Sequence, residues 1–119
     1  MIKYIQSGSS SKIAEIEMGS FLVSSAGDIV DIMGEVSYHD CDSIIMHSDV
    51  FSREFFDLKT GIAGEILQKF SNYRMRLVIV GDFTHLTSKS WRDFIRESNR
   101  GRIVNFLPSV DDAISVLSV

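Results

Sequence analysis

Phe55-Phe56-Asp57-Leu58-Lys59-Thr60-Gly61-Ile62-Ala63-Gly64-Glu65-Ile66-Leu67-Gln68-Lys69-Phe70 reads as a polar turn running into an amphipathic helix. Ile62, Ile66, Leu67, Phe70 and Tyr73 recur at helical spacing and predict one buried face, with Lys59, Glu65, Gln68, Lys69 and Asn72 opposite. Glu65 precedes Lys69 by four residues, the favourable order for an ion pair on a helix. Asp57 and Thr60 are helix-start residues, whose side-chain oxygens accept from free amides. Gly61 and Gly64 cost stability in a helix unless they let the backbone approach a neighbour.

Working outward, Met75-Arg76-Leu77-Val78-Ile79-Val80-Gly81 is the clearest strand and ends on a Gly-Asp turn. A helix follows from about Ser88 to Ser98, with Trp91, Phe94 and Ile95 as its buried stripe. Asn99-Arg100-Gly101 ends it, Asn and Gly both tolerating the left-handed conformation. Ile103-Val104-Asn105-Phe106-Leu107 is a further strand, stopped by Pro108. Ser109-Val110-Asp111-Asp112 has capping-box spacing before a last helix with Val110, Ala113, Ile114 and Leu117 inside.

Upstream, Ser43-Ile44-Ile45-Met46-His47 lacks alternation, as a strand covered on both faces does. Ser25-Ala26-Gly27-Asp28 starts a helix carrying Ile29, Ile32, Met33 and Val36. Ile2 to Gln6 is a strand and Ser7 to Ser11 a Gly/Ser loop. From Ile13 to Met18, Ala14, Ile16 and Met18 alternate with Glu15 and Glu17, a half-exposed strand. These two strands form an edge hairpin in this reading, and Phe21-Leu22-Val23 is too short to assign. The predicted order is ββαβαβαβα: a single α/β domain over residues 1–119, with helices packed on a mixed, mostly parallel sheet of about five strands.

At 119 residues, with 45% hydrophobic and 24% charged residues, the chain has the length and balance of one globular domain. Its net charge of -4 gives no preference for nucleic acid, so no nucleic-acid partner is expected. Cys41 stands alone, which excludes an internal disulfide and fits a reducing compartment. Neither a signal peptide nor a membrane-length apolar run is present, so a cytoplasmic protein without membrane contact is expected.

The element order and the second half of the chain resemble the STAS domain, the fold of bacterial anti-sigma-factor antagonists. The residues that carry it are Phe56-Asp57-Leu58-Lys59-Thr60-Gly61, Arg76 to Gly81, and Val104-Asn105-Phe106-Leu107-Pro108-Ser109-Val110-Asp111-Asp112-Ala113-Ile114. Residues 43 to 119 match well, and the first 42 match only in the order of elements. In that family an Asp-Ser-Ser-Gly turn starts the helix after the third strand. The serine before the glycine is phosphorylated, which controls binding to a kinase partner. The resemblance thus implies a non-enzymatic regulatory module. It makes Thr60, before Gly61, the phosphorylation candidate, with Asp57 matching the leading aspartate. Here Leu58-Lys59 replaces a serine. Phe55 to Tyr73 and Glu97-Ser98-Asn99-Arg100-Gly101 also resemble a family of small bacterial proteins known only as a domain of unknown function. That match is closer in sequence and implies no activity.

The expected partner surface is the rim at Asp57, Lys59, Thr60 and Gly61; the plain alternative is that Asp57 or Thr60 simply caps the helix. A phosphate on Thr60 would sit at the positive end of a helix dipole, with Lys59 beside it. His47, Asp49, Asp82 and His85 follow the carboxyl ends of the strands, where ligands of parallel sheets bind, and form a second candidate set for a small-molecule binder or minor enzyme. Their spacing is not diagnostic, and solvated turn residues are the ordinary alternative. No Walker or dinucleotide loop is present, so no cofactor and no metal are expected. Lys89, Arg92, Arg96, Arg100 and Arg102 crowd one region, read as a solvated helix face with internal ion pairs. A homodimer through exposed aromatics such as Phe51, Phe55 or Phe83 is the third reading.

Overall fold

A computed structural model describes residues 2–7, 11–17 and 22–118. The strands are β1 (Ile2–Ser7), β2 (Ser11–Ile16), β3 (Ser43–His47), β4 (Arg76–Val80) and β5 (Val104–Leu107). The helices are α1 (Ala26–Tyr38), α2 (Ile62–Asn72), α3 (Lys89–Arg100) and α4 (Val110–Leu117). Three short 3-10 turns, Ser48–Val50, Arg53–Phe56 and Leu58–Thr60, connect β3 to α2. Gly8 to Ser10, Met18 and Phe21, read above as loop, strand and unassigned, lie outside the described residues. Val23 makes one parallel bridge to Phe51.

The sheet runs β1-β2-β3-β4-β5. β1 and β2 are an antiparallel edge pair, with Ser7 opposite Ser11. β2 to β5 are parallel, each beside the next in sequence. Right-handed crossovers that always step in one direction must put their helices on one face. Accordingly α1, α2 and α3 share a core with Ala14, Ile16, Ile44, Met46, Leu77, Ile79, Val104 and Phe106. α4 follows the last strand and returns across the other face, where Ala113 and Leu117 meet Ile13, Ile45, Val78 and Val80. Ile44, Ile45 and Met46 in β3 are therefore fully buried, as a doubly covered central strand requires.

The caps follow the spacing in part. Ser25 and Asp28 form a full capping box on α1, and Ser109 accepts from the Asp112 amide at 3.1 Å. α3 buries Trp91 and packs half-buried Phe94 and Ile95 on the core. Gly101 ends α3 in extended backbone (φ -91°), not left-handed. Asn99 explains the difference: its amide bridges to β5 through the Phe106 N–H at 2.7 Å, so the chain leaves the helix along the strand.

In α2, Ala63, Ile66 and Phe70 are buried and Ile62 and Leu67 half-buried. Tyr73 is 56% exposed, against its expected place inside, because it is the C-cap residue and has left the helical stripe. Gly64 has no close backbone neighbour to offset its cost: a Cβ there would stand in open space. The aromatics proposed for a dimer face are largely spent on the core. Phe51 and Phe55 are buried and stack with centroids 4.2 Å apart, and Phe83 packs on Phe106.

Candidate functional site

The segment between β3 and α2 leaves the carboxyl edge of the sheet as a chain of tight turns. Asp57 caps the last of them, its Oδ1 accepting from the Lys59 N–H at 3.1 Å. Thr60 follows, and its hydroxyl lies 2.8 Å from the carbonyls of both Glu54 and Asp57. One hydroxyl proton serves one acceptor at a time, so it alternates between the two. The same oxygen accepts from the Ile62 N–H at 3.3 Å. Asp57 thus caps a 3-10 turn rather than the helix, and α2 begins two residues after Thr60, at Ile62. Gly61 is its N-cap at φ 79°, a left-handed backbone that L side chains rarely adopt.

Asp57, Lys59, Thr60 and Gly61 are all exposed on this turn. A cleft of about 400 Å³ opens beside it, lined by Phe56, Asp57, Leu58, Lys59, Ser88, Ser90 and Trp91. The Trp91 indole N–H donates to the Phe56 carbonyl at 2.7 Å and fastens the start of α3 to the turns. The rim therefore has an aromatic floor and a lip carrying one carboxylate, one ammonium and one hydroxyl. Trp91 was readable in the sequence as a core residue; its second role here needs the pairing of segments 35 residues apart.

The second candidate set is dispersed. His47 is the last residue of β3 and faces α4's side of the sheet, where its Nε2 meets Glu15 Oε2 at 2.8 Å. Glu15, read as a solvent-facing strand residue, is thereby half-buried, with 12% of its side chain exposed. Asp82 closes its own turn, accepting from the Thr84 hydroxyl at 2.7 Å and its amide at 3.0 Å. Those two bonds, with His85 adding charge nearby, hold its carboxyl below the usual range. His85 lies against the Phe56 ring at 6.4 Å, and Asp49 is exposed in the turn after β3. Among the described residues, no three His, Cys, Asp or Glu stand close enough to hold a metal ion.

Around β4 and β5 a crevice of about 520 Å³ is lined by Gly81, Asp82, Phe83, Thr84, Phe106, Leu107 and Pro108. It lies where the topology makes room, because α3 leaves β4 toward one face and α4 leaves β5 toward the other. Between the other parallel strands the following helices stay on one side, and no such divergence arises.

The basic cluster on α3 pairs internally: Asp93 takes Lys89 at 2.7 Å and also Arg96, and Glu97 takes Arg100 at 3.3 Å. Cys41 is buried, and burial pushes its thiol up, away from reactive thiolate. No helix among the described residues is long and apolar enough to cross a membrane.

A family model described as a domain of unknown function (DUF4180) matches residues 8–117. This chain belongs to that family. No curated protein and no solved structure matches the chain.

Proposed function

We propose that this chain is a bacterial cytoplasmic regulatory module of STAS type, without catalytic activity of its own, that binds a protein partner through Asp57, Lys59, Thr60 and Gly61. The observation that carries the reading is the exposed turn itself. Three different polar groups and a left-handed glycine stand together beside an aromatic cleft, at the amino end of α2.

Thr60 is the switch in this reading. Esterifying its oxygen removes the proton shared by the Glu54 and Asp57 carbonyls, so one modification loosens a side-chain tie to two turns whose backbone bonds remain. It also adds about -1.5 to -2 charges at neutral pH, beside Lys59 and the positive end of α2. The kinase that writes the mark, or the regulator that reads it, is the expected partner. The test is phosphopeptide mapping of residues 59–69 from the native host, joined to quantitative partner capture with Asp57→Ala, Lys59→Ala and Thr60→Ala chains. Loss of one and the same partner from all three supports the reading. Retention of every partner by folded variants overturns it.

The crevice between β4 and β5 favours a second reading, a small-molecule binder using Asp82, with His85 near its turn. Chemical-shift changes confined to Gly81–Thr84 and Phe106–Pro108 in a metabolite screen would support it over the first.

A further inference from the structure

On the opposite edge of the molecule, β1 ends the sheet, and no described strand pairs with its outer edge. Beside it, on the helical face, runs a groove of about 550 Å³ between β1 and α1. Its floor is apolar: Ile2, Tyr4, Val23, Ile32 and Leu22, the last 64% exposed. Its wall is the outer stripe of α1, where Asp28, Asp31 and Glu35 follow one another at helical spacing. Asp28 is occupied by the cap, accepting from the Ser24 and Ser25 amides. Asp31 and Glu35 are exposed; Asp31 has no cationic partner among the described residues, and Glu35 has only His39 at 4.0 Å. The Glu35 charge reaches the groove floor, adding to burial in raising the Tyr4 phenol.

We infer that this edge receives an extended basic segment of another protein, added as a sixth strand outside β1. Strand addition pairs with outward amides and carbonyls of an edge strand, while alternate side chains take the pockets beside it. Ile2 and Tyr4 point to the groove side of the sheet, so alternate residues of an added strand lie next to them and under the α1 stripe. Lysine or arginine at those positions reaches Asp31 and Glu35, and their aliphatic stems cover Leu22 and Tyr4.

A second copy of this chain is the competing occupant, and charge disfavours it. Antiparallel pairing of two β1 edges places the dyad perpendicular to the sheet. Both α1 helices then lie on the same face, with two carboxylate stripes turned toward each other and no lysine or arginine among the described residues lining either groove. The surface lies apart from the rim at Asp57 and Thr60, so its fate does not depend on that reading.

The probe is a fluorescent peptide alternating lysine with valine, compared with the same peptide carrying glutamate for lysine. Anisotropy should show binding of the basic peptide alone, weakening with salt. The double variant Asp31→Asn, Glu35→Gln changes only exposed groups on α1 and should weaken binding roughly threefold to tenfold, the range two exposed charge pairs supply. Amide exchange should slow in Ile2–Ser7 when the basic peptide is present and not with the acidic one. Equal binding of both peptides, no binding, unchanged affinity in the folded double variant, or a dimer by light scattering that protects β1 would each overturn the inference.

Discussion

His47 Nε2 stands 2.8 Å from Glu15 Oε2 and joins β3 to β2 on the face that α4 covers. The pair is mostly shielded, with 21% and 12% of the two side chains exposed. Removing one partner leaves the other with an unmet polar group in a poorly hydrated place. His47→Ala and Glu15→Ala should each cost roughly 1–3 kcal/mol of stability by that reasoning. The double variant should cost less than their sum, with a coupling of about 0.5–3 kcal/mol in a urea double-mutant cycle. Strict additivity would show that the contact contributes nothing.

The glycines separate by what surrounds them. Gly64→Ala fills open space on a regular helix and should stabilise by about 0.5–1 kcal/mol. Gly61→Ala meets a positive φ and should destabilise by roughly 1–2 kcal/mol. A Cβ on Gly81 would lie 2.9 Å from the Ser48 Cβ and nearer still to its Oγ, where β3 and β4 end together. Gly81→Ala should therefore cost about 1–3 kcal/mol, the usual penalty of overpacking. Thermal unfolding of the three variants checks the order.

Asp82 titrates below an ordinary aspartate because Thr84 donates to its charged form. A depressed folded value means that its contribution to stability is present above the unfolded value and lost as pH falls through the folded one. Thr84→Val removes the hydroxyl donor. Carbonyl NMR titration should then show the Asp82 midpoint rising toward that of a free side chain. An unmoved midpoint would place the cause elsewhere.

Trp91 is the only tryptophan and hydrogen-bonds the turn that carries Asp57. Trp91→Phe should cost about 1–2 kcal/mol for the unpaired Phe56 carbonyl. The indole also lines the rim cleft, so its fluorescence should respond to a Thr60→Glu change without loss of helix content. Unchanged emission would separate Thr60 from the cleft.

Cys41 has a raised thiol pKa, with burial as its first cause. Ellman reagent should react with it slowly in the folded chain and fast once urea unfolds the chain. Equal rates would mean that the pocket opens readily.

The order of α-helical and strand patterns was legible because each element carries its own period. Trp91, Phe94 and Ile95 announce a helix that needs a partner surface, and Ile44-Ile45-Met46 announce a strand covered twice. Glu15 was misread for the same reason. Alternation records only that a residue points away from its neighbours, and the His47 ring that meets it lies 32 positions later, on the next strand. The partition of capping between Asp57, Thr60 and Gly61 was hidden because a 3-10 turn and a helix start use the same residue types.

Taken by itself, the chain determined its local signals: the helical and strand periods and the capped starts at Ser25 and Ser109. Those depend on neighbours within a few residues. The tertiary structure alone decided that β1 ends the described sheet, that the helices part beside β4 and β5, and that His47 finds Glu15. Each depends on which distant segments share a face of the sheet. That choice comes from burying the whole apolar surface at once, so no single stretch carries it.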